Sequence, residues 1–157
     1  MGSDVSNVYI YLAGPISGCT GGEANHWRDV VCNELNKASP RLIGVSPLRC
    51  EPIIGSTYDT EYDDDRFGLP QVIAAKNYED VKRCDVTLAY MPTLSIGTLQ
   101  EIGWCKPLEK PVILISDLPE IRNNAVIKAT VPWRFTYIDR GFQKAVEVIR
   151  GIYEVYA

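Results

Sequence analysis

The segment Ser-Ile-Gly-Thr-Leu-Gln-Glu-Ile-Gly-Trp, residues 95–104, lies between two short apolar runs. The runs, residues 86–90 and 111–115, have the composition and length of buried strands. In a parallel sheet, ligands bind outside the carboxyl ends of the strands. Glu101, the one acid in an otherwise apolar helical turn after the first run, is therefore a candidate reactive group. The alternative interpretation is a solvated carboxylate on a helix surface.

The composition is that of one globular domain covering residues 1–157. Apolar residues make up 46% of the chain and charged residues 23%, with a formal net charge of −4, which are ordinary values. The net negative charge argues against nucleic acid or an anionic membrane as a partner. The longest apolar runs, of about five residues, are too short to span a membrane, and no secretory signal is visible, so we expect a cytoplasmic protein.

The cysteines and the histidine limit the possible chemistry. The five cysteines include no Cys-x-x-Cys pair, so neither a disulfide framework nor a zinc site is indicated. The only histidine, His26, excludes a multi-histidine metal site. We therefore expect no metal and no cofactor, and acid–base chemistry must come from carboxylates, tyrosines or water.

Strand-like and helix-like segments alternate along the chain. The hydrophobic patterns predict strands at residues 8–13, 42–45, 86–90, 112–115 and 134–138. They predict helices at residues 23–37, 69–83, 97–108, 118–128 and 141–156. This alternation is typical of an α/β fold with right-handed crossovers. The predicted architecture is a single doubly wound domain with a five-stranded, mainly parallel sheet flanked by helices, Rossmann- or flavodoxin-like.

Two connecting segments have the composition of ligand-binding loops. Residues 14–22 are rich in glycine but lack the spacing of a dinucleotide fingerprint or of a phosphate loop. Such a loop lets the backbone approach a small ligand closely. Residues 47–68 are long and polar, which predicts a functional lid or binding loop.

The residues around Glu101 favour nucleophilic chemistry. Its neighbours Leu99, Ile102 and Trp104 would partly desolvate the carboxylate, and desolvation raises the pKa of a carboxylic acid. A lone nucleophilic carboxylate is suited to attack on an anomeric carbon. Tyr11 and Gly14, at the end of the first strand, are expected at the same edge of the sheet.

Three segments in order resemble the nucleoside 2-deoxyribosyltransferase family, whose superfamily includes nucleoside 5′-monophosphate N-glycosidases. They are residues 9–18 (Tyr-Ile-Tyr-Leu-Ala-Gly-Pro-Ile-Ser-Gly), 77–85 and 95–103, and the resemblance extends over residues 8–128. It implies transfer of 2-deoxyribose between purine or pyrimidine bases with retention of configuration. Small-molecule nucleosides and nucleobases would then be the ligands.

The resemblance also implies individual roles. Glu101 matches the nucleophile that carries the 2-deoxyribosyl group, and Tyr11 matches the hydroxyl that orients it. Gly14 matches the loop that lines the sugar and base. Asn77 falls where the family usually has an aspartate that touches the nucleobase. Because an amide cannot give a proton to the leaving base, two alternatives are open: Asp80 is the general acid instead, or Asn77 only recognises the base.

Other positions separate the candidate activities. Ser95 matches a residue that is often aspartate in the transferases and serine in the monophosphate hydrolases, and Gly97, in the same turn, is assigned to substrate binding with it. Asn124 matches an asparagine that a neighbouring transferase subunit supplies, which implies a dimer or hexamer with a composite active site. The absence of cations from residues 14–22 favours the transferase, because a phosphate needs cationic donors. A non-catalytic nucleoside-binding module is a further alternative, suggested by Asn77.

Overall fold

A computed structural model describes residues 6–49 and 70–156. Strands and helices alternate along these residues: β1 Val8–Ala13, α1 Gly21–Ala38, β2 Leu42–Val45, α2 Pro70–Arg83, β3 Val86–Tyr90, α3 Ile96–Cys105, β4 Val112–Ile115, α4 Pro119–Arg122, α5 Ala125–Thr130, β5 Trp133–Phe135 and α6 Gly141–Tyr153.

The strands form one five-stranded sheet in the order β2-β1-β3-β4-β5. Every pairing among these strands is parallel. The predicted doubly wound α/β fold is therefore confirmed, and the bounds predicted for the first four strands are those observed. The chain passes from β1 to β2 on one side and returns to β3 on the other, which places the topological switch point between β1 and β3. Ligands bind at this point in such folds.

Two hydrophobic layers enclose the sheet. Alternate residues of a strand point to opposite faces. Ile10 and Leu12 of β1 therefore pack with α1 and α6, whereas Tyr11 packs with the layer that includes α2 and α3. From Ile10 to Ala13 both faces of β1 are buried, which is why this part of the strand is continuously apolar or aromatic instead of alternating.

The helix ends differ from the prediction for local reasons. Helix α1 begins at Gly21, two residues early, because Thr20 and Glu23 form a reciprocal capping box that satisfies its first backbone N–H groups. Helix α3 ends at Cys105 instead of residue 108. Pro107 has no N–H to continue the helical hydrogen-bond ladder.

The carboxyl-terminal third is also more divided than predicted. The single helix expected at 118–128 is two short helices, because Asn124 caps a new helix, α5. The last strand is β5, not residues 134–138. Helix α6 ends at Tyr153, since Glu154 adopts the left-handed conformation with φ of 53°, which is typical of helix termination.

Some predictions concern residues outside the described part. Residues 50–69, most of the predicted lid at 47–68, lie outside it, as do residues 1–5 and 157. The single domain over 1–157 and the cytoplasmic location stay predictions. In residues 6–49 and 70–156, no helix combines the length and the apolar character needed to cross a bilayer.

Candidate active site

Glu101 is placed by the start of helix α3. The Ser95 side chain caps this helix, its Oγ accepting hydrogen bonds from Thr98 N at 3.3 Å and from Thr98 Oγ1 at 2.8 Å. Glu101 lies about one turn further on and is only 7% exposed. The helix thus begins just beyond the carboxyl end of β3 and turns its one acid inward.

Tyr11 is placed by the central strand. It is fully buried on β1 and pairs with Thr87 of β3 in the sheet. Its ring lies in the hydrophobic layer that also contains Ile102 of α3. The structure therefore brings Tyr11 and Glu101 together beside the switch point, as the sequence predicted for one edge of the sheet.

The ionisation of Glu101 is strongly perturbed. Burial raises the pKa of the Glu101 carboxyl to about 7, partly opposed by Tyr11, Arg28 and Lys76, while the charge of Asp80 adds to the rise. The cause is the loss of hydration of the charged form. The Glu101 carboxyl consequently titrates near neutral pH instead of near its ordinary value of 4.5.

Tyr11 responds to the same carboxyl. Burial, followed by the charge of Glu101, raises the pKa of the Tyr11 hydroxyl well above its usual value. The phenol is therefore a neutral donor. The Tyr11 hydroxyl lies close enough to the Glu101 carboxyl for hydrogen bonding to affect both pKa values, but among the described residues neither this hydroxyl nor Glu101 Oε2 makes a hydrogen bond of ordinary geometry. A buried polar atom left in this state costs about 1–3 kcal/mol, which marks the pair as a functional candidate.

Arg28 fixes the end of β1. This buried side chain donates to the Leu12 carbonyl at 3.2 Å, to the Gly14 carbonyl at 3.0 Å and to the Ala24 carbonyl. Arg28 is the first cationic residue after the loop of residues 14–22 and, by sequence position, the nearest cation for a substrate phosphate. Its guanidinium is directed instead at backbone oxygens, where it orders the start of the glycine-rich loop.

Helix α2 contributes an ion network that the sequence did not predict. Arg49 holds both oxygens of Asp80, at 2.8 and 2.7 Å, and Lys76 Nζ lies 3.6 Å from Asp80 Oδ2. The four-residue spacing of Lys76 and Asp80 is a visible sequence signal. Arg49 gives no such signal, because it reaches Asp80 from the turn after β2, 31 residues away in the sequence.

Three other residues that the sequence assigned to substrate binding, Gly14, Gly97 and Asn77, differ in their surroundings. A Cβ at Gly14 would lie 2.4 Å from the Trp27 ring and 3.0 Å from the Tyr90 carbonyl, so close packing of α1 requires glycine there. Gly97 is exposed, and a Cβ there would meet nothing within 4 Å. Asn77 is half-buried on α2, one turn before Asp80. Contact of these residues with substrate stays a prediction.

Asn124 lies apart from the Tyr11–Glu101 pair within one chain. Its Oδ1 accepts hydrogen bonds from Val126 N at 2.9 Å and Ile127 N at 3.3 Å. It lines an apolar groove of about 360 Å³ between α3 and the α4–α5 segment. The α3 residues of the groove include Leu99 and Gly103, whereas Glu101 projects from roughly the opposite side of this helix.

No metal centre is visible in the part of the chain that the structure describes, where no three potential histidine, cysteine or carboxylate ligands form a group. The described cysteines, Cys19, Cys32, Cys84 and Cys105, are free thiols. At this edge Tyr11, Arg28, Lys76 and Asp80 all act on the ionisation of Glu101.

Replacing Tyr11 by phenylalanine should move the pH profile of any reaction that needs ionised Glu101. The Tyr11 hydroxyl lowers the pKa of the Glu101 carboxyl, so its removal raises that pKa. We expect the acidic limb of kcat/KM to move to higher pH, with a larger loss of activity at pH 6 than at pH 9. Tyr9→Phe, on the same strand but with a partly exposed ring, is the matched control. A Tyr11→Phe limb that coincides with the wild-type limb would refute this coupling.

Comparison with known proteins finds solved structures that have a similar fold. No protein-family model matches the chain, and no curated protein does. A structure of the CMP N-glycosidase BcmB from Clostridium botulinum is similar with a TM-score of 0.55 and 18% identity, over 89% of this chain and 98% of that chain. A 2-deoxyribosyltransferase from Bacillus psychrosaccharolyticus has a TM-score of 0.55 and 23% identity, over 79% and 82%. The solution structure of BlsM has a TM-score of 0.54 and 17% identity, over 94% of each chain. The chain therefore shares the fold of a CMP N-glycosidase and a 2-deoxyribosyltransferase.

Proposed function

We propose that the protein is a nucleoside 2-deoxyribosyltransferase that moves 2-deoxyribose between purine or pyrimidine bases. The observation that carries this proposal is the buried pair of Glu101 and Tyr11 at the switch point, each with an unpartnered oxygen. A desolvated carboxylate beside a neutral phenol is suited to form a covalent bond at an anomeric carbon. The shared fold supports the same class of chemistry.

The reaction proceeds in two displacements. A Glu101 carboxylate oxygen attacks C1′ of the nucleoside from the face opposite the base, and the C1′–N bond breaks with its electron pair leaving on the base. The product is a 2-deoxyribosyl ester of Glu101. The acceptor base then attacks C1′ from the face that the first base left, which releases Glu101 and retains the configuration.

Tyr11 acts on the nucleophile in this scheme. Its neutral hydroxyl can donate to the carboxylate oxygen that does not attack, so the oxygen that does attack is held towards C1′. Because donation favours the ionised form, it also increases the reactive fraction of Glu101 at neutral pH.

Base exchange tests the proposal directly. We expect wild-type protein, incubated with deoxyinosine and adenine, to form deoxyadenosine and hypoxanthine, and Glu101→Ala to form neither above background. Failure to exchange any donor–acceptor pair would reject the transferase. So would exchange by Glu101→Ala at the wild-type rate.

A second candidate is an N-glycosidase that releases the base from nucleoside or deoxynucleoside 5′-monophosphates, with water as the acceptor. Ser95 at the amino end of α3, where backbone N–H groups favour anions, supports this alternative. The similarity to a CMP N-glycosidase over 98% of that chain also supports it. Base release from a monophosphate but not from the corresponding nucleoside would establish the hydrolase over the transferase.

A nucleoside-binding module without catalysis is the third candidate, and Asn77 in place of an acid is its support. Such a module would be stabilised against heat by nucleosides, since ligand binding to the folded state raises its stability, but would turn none of them over. Turnover that depends on Glu101 excludes this candidate.

We further propose a homo-oligomer, dimer or hexamer, in which Asn124 enters the site of a neighbouring subunit. The support is the apolar groove beside Asn124, whose lining includes the exposed Leu94 and Val126. Mixed Glu101→Gln and Asn124→Ala variants should regain activity, because hybrid oligomers contain one intact site. A fully active monomer in sedimentation velocity would reject this arrangement.

A further inference from the structure

If the proposed function holds, the reaction also needs a group that gives a proton to the leaving base. This inference rests on the proposed function. When the C1′–N bond breaks, negative charge develops on the base. A positioned acid contributes about 10²–10⁴-fold to such a step. The donor must lie near Glu101 and must be able to give up a proton.

Most groups around Glu101 are unsuited to that role. Both oxygens of Asp80 accept hydrogen bonds from Arg49, so this carboxylate is held as an acceptor. The guanidinium of Arg28 donates to backbone carbonyls and cannot be deprotonated in proteins. The amide of Asn77 has no proton to give. Tyr11 interacts with the nucleophile itself.

Lys76 has the required properties. Its side chain extends from α2, which packs against β1 and α3, and its positive charge acts on Glu101. Nζ donates to the Pro47 carbonyl at 2.7 Å and lies 3.6 Å from Asp80 Oδ2. An ammonium has three donors, so at least one remains for a ligand. The side chain is 32% exposed, which leaves it within reach of a substrate from solution.

We propose that Lys76 is the general acid that protonates the departing base. Asp80, which is held by Arg49, and the Pro47 carbonyl together fix the Lys76 ammonium at the edge of the site. The contacts of helix α2 therefore determine where the proposed acid lies. Lys76 thereby replaces the carboxylic acid that Asn77 cannot provide.

Lys76 gives up a proton in the first displacement and regains one in the second. In the first, the electron pair of the C1′–N bond passes to the base nitrogen, which takes a proton from the Lys76 ammonium, leaving a neutral base, a neutral amine and the glycosyl ester. In the second, the acceptor base loses its proton to the Lys76 amine as its nitrogen bonds to C1′. Glu101 is released as a carboxylate, and Lys76 is again an ammonium.

The dependence on the leaving group tests this role. Single-turnover base release should be measured for deoxyuridines whose 5-substituents make uracil progressively more acidic, with Lys76→Gln and the control Lys82→Gln, an exposed lysine of the same helix. We expect Lys76→Gln to lose about 10²–10⁴-fold on deoxyuridine and roughly tenfold or less on the most acidic base. Lys82→Gln should match the wild type throughout. A loss that is the same for every base, or no loss, would overturn the proposal.

Two further variants separate chemistry from folding. Lys76→Arg keeps the charge but cannot transfer a proton, so it should show the same leaving-group dependence with a smaller loss. Lys76→Ala should recover activity with an added primary amine, whereas an unfolded protein would not. Failure of rescue in a variant that melts like the wild type would contradict the role of Lys76. Absence of wild-type turnover on every nucleoside and monophosphate would overturn the proposed function as well.

Discussion

Replacement of Glu101 by glutamine is expected to reduce base exchange by roughly 10⁴-fold or more, because a neutral amide cannot act as the anionic nucleophile that forms the ester at C1′. The amide has nearly the same shape, so substrate binding should survive. The measurement is the single-turnover rate of base release at saturating deoxynucleoside. The exposed Glu147 on α6 gives the control variant, Glu147→Gln, which should retain the wild-type rate.

Small anions offer a sharper form of the same test. In Glu101→Ala the space of the carboxylate is vacated, so azide can enter and attack C1′ from that face. We expect azide to restore base release and to yield a 2-deoxyribosyl azide of inverted configuration, since only one displacement then occurs. Base release by Glu101→Gln within tenfold of the wild-type rate would contradict a nucleophilic role.

The same Glu101→Gln replacement should stabilise the protein above neutral pH. Burial raises the pKa of the folded Glu101 carboxyl to about 7, from an ordinary value of 4.5. The folded state therefore retains a proton that the unfolded state has lost between these two values, and the free energy of unfolding falls as pH rises through this window. The accumulated difference is about 3 kcal/mol.

Chemical denaturation at two pH values measures this effect. At pH 8.5 the unfolding free energy of Glu101→Gln should exceed that of the wild type by about 3 kcal/mol, whereas at pH 5 the two should differ little. Glu147→Gln should show no such pH dependence. Equal unfolding free energies of Glu101→Gln and wild type at pH 8.5 would show that burial does not destabilise the Glu101 carboxylate. A higher unfolding free energy of Glu101→Gln would agree with the general observation that active-site groups are often kept at the expense of stability.

The fold was predictable because its strands carry strong local signals. Each of the first four strands is a short, mainly apolar run with a proline, a glycine or a charged residue next to at least one of its ends, and its bounds were correct. The last strand was misplaced because Tyr137 and Ile138 have strand-like composition but are largely exposed. Tertiary position decides such cases, not composition.

The candidate site was only partly predictable. Glu101 and Tyr11 could be found because both follow from the sheet edge and from sequence motifs. The network of Arg49, Asp80 and Lys76 depends on a contact between residues 31 positions apart, for which a single sequence has no periodic signal. The steric demand at Gly14 likewise becomes visible only when the Trp27 ring is in place.

The covalent intermediate is the most direct test of the role of Glu101. Wild-type protein should be mixed with a 2′-deoxynucleoside in the absence of acceptor base, quenched within one turnover and analysed by intact and peptide mass spectrometry. We expect one added 2-deoxyribosyl group per chain, located on Glu101 and lost on addition of adenine. Turnover of the same substrate with no adduct on Glu101, or with the adduct on another residue, would contradict the proposed mechanism.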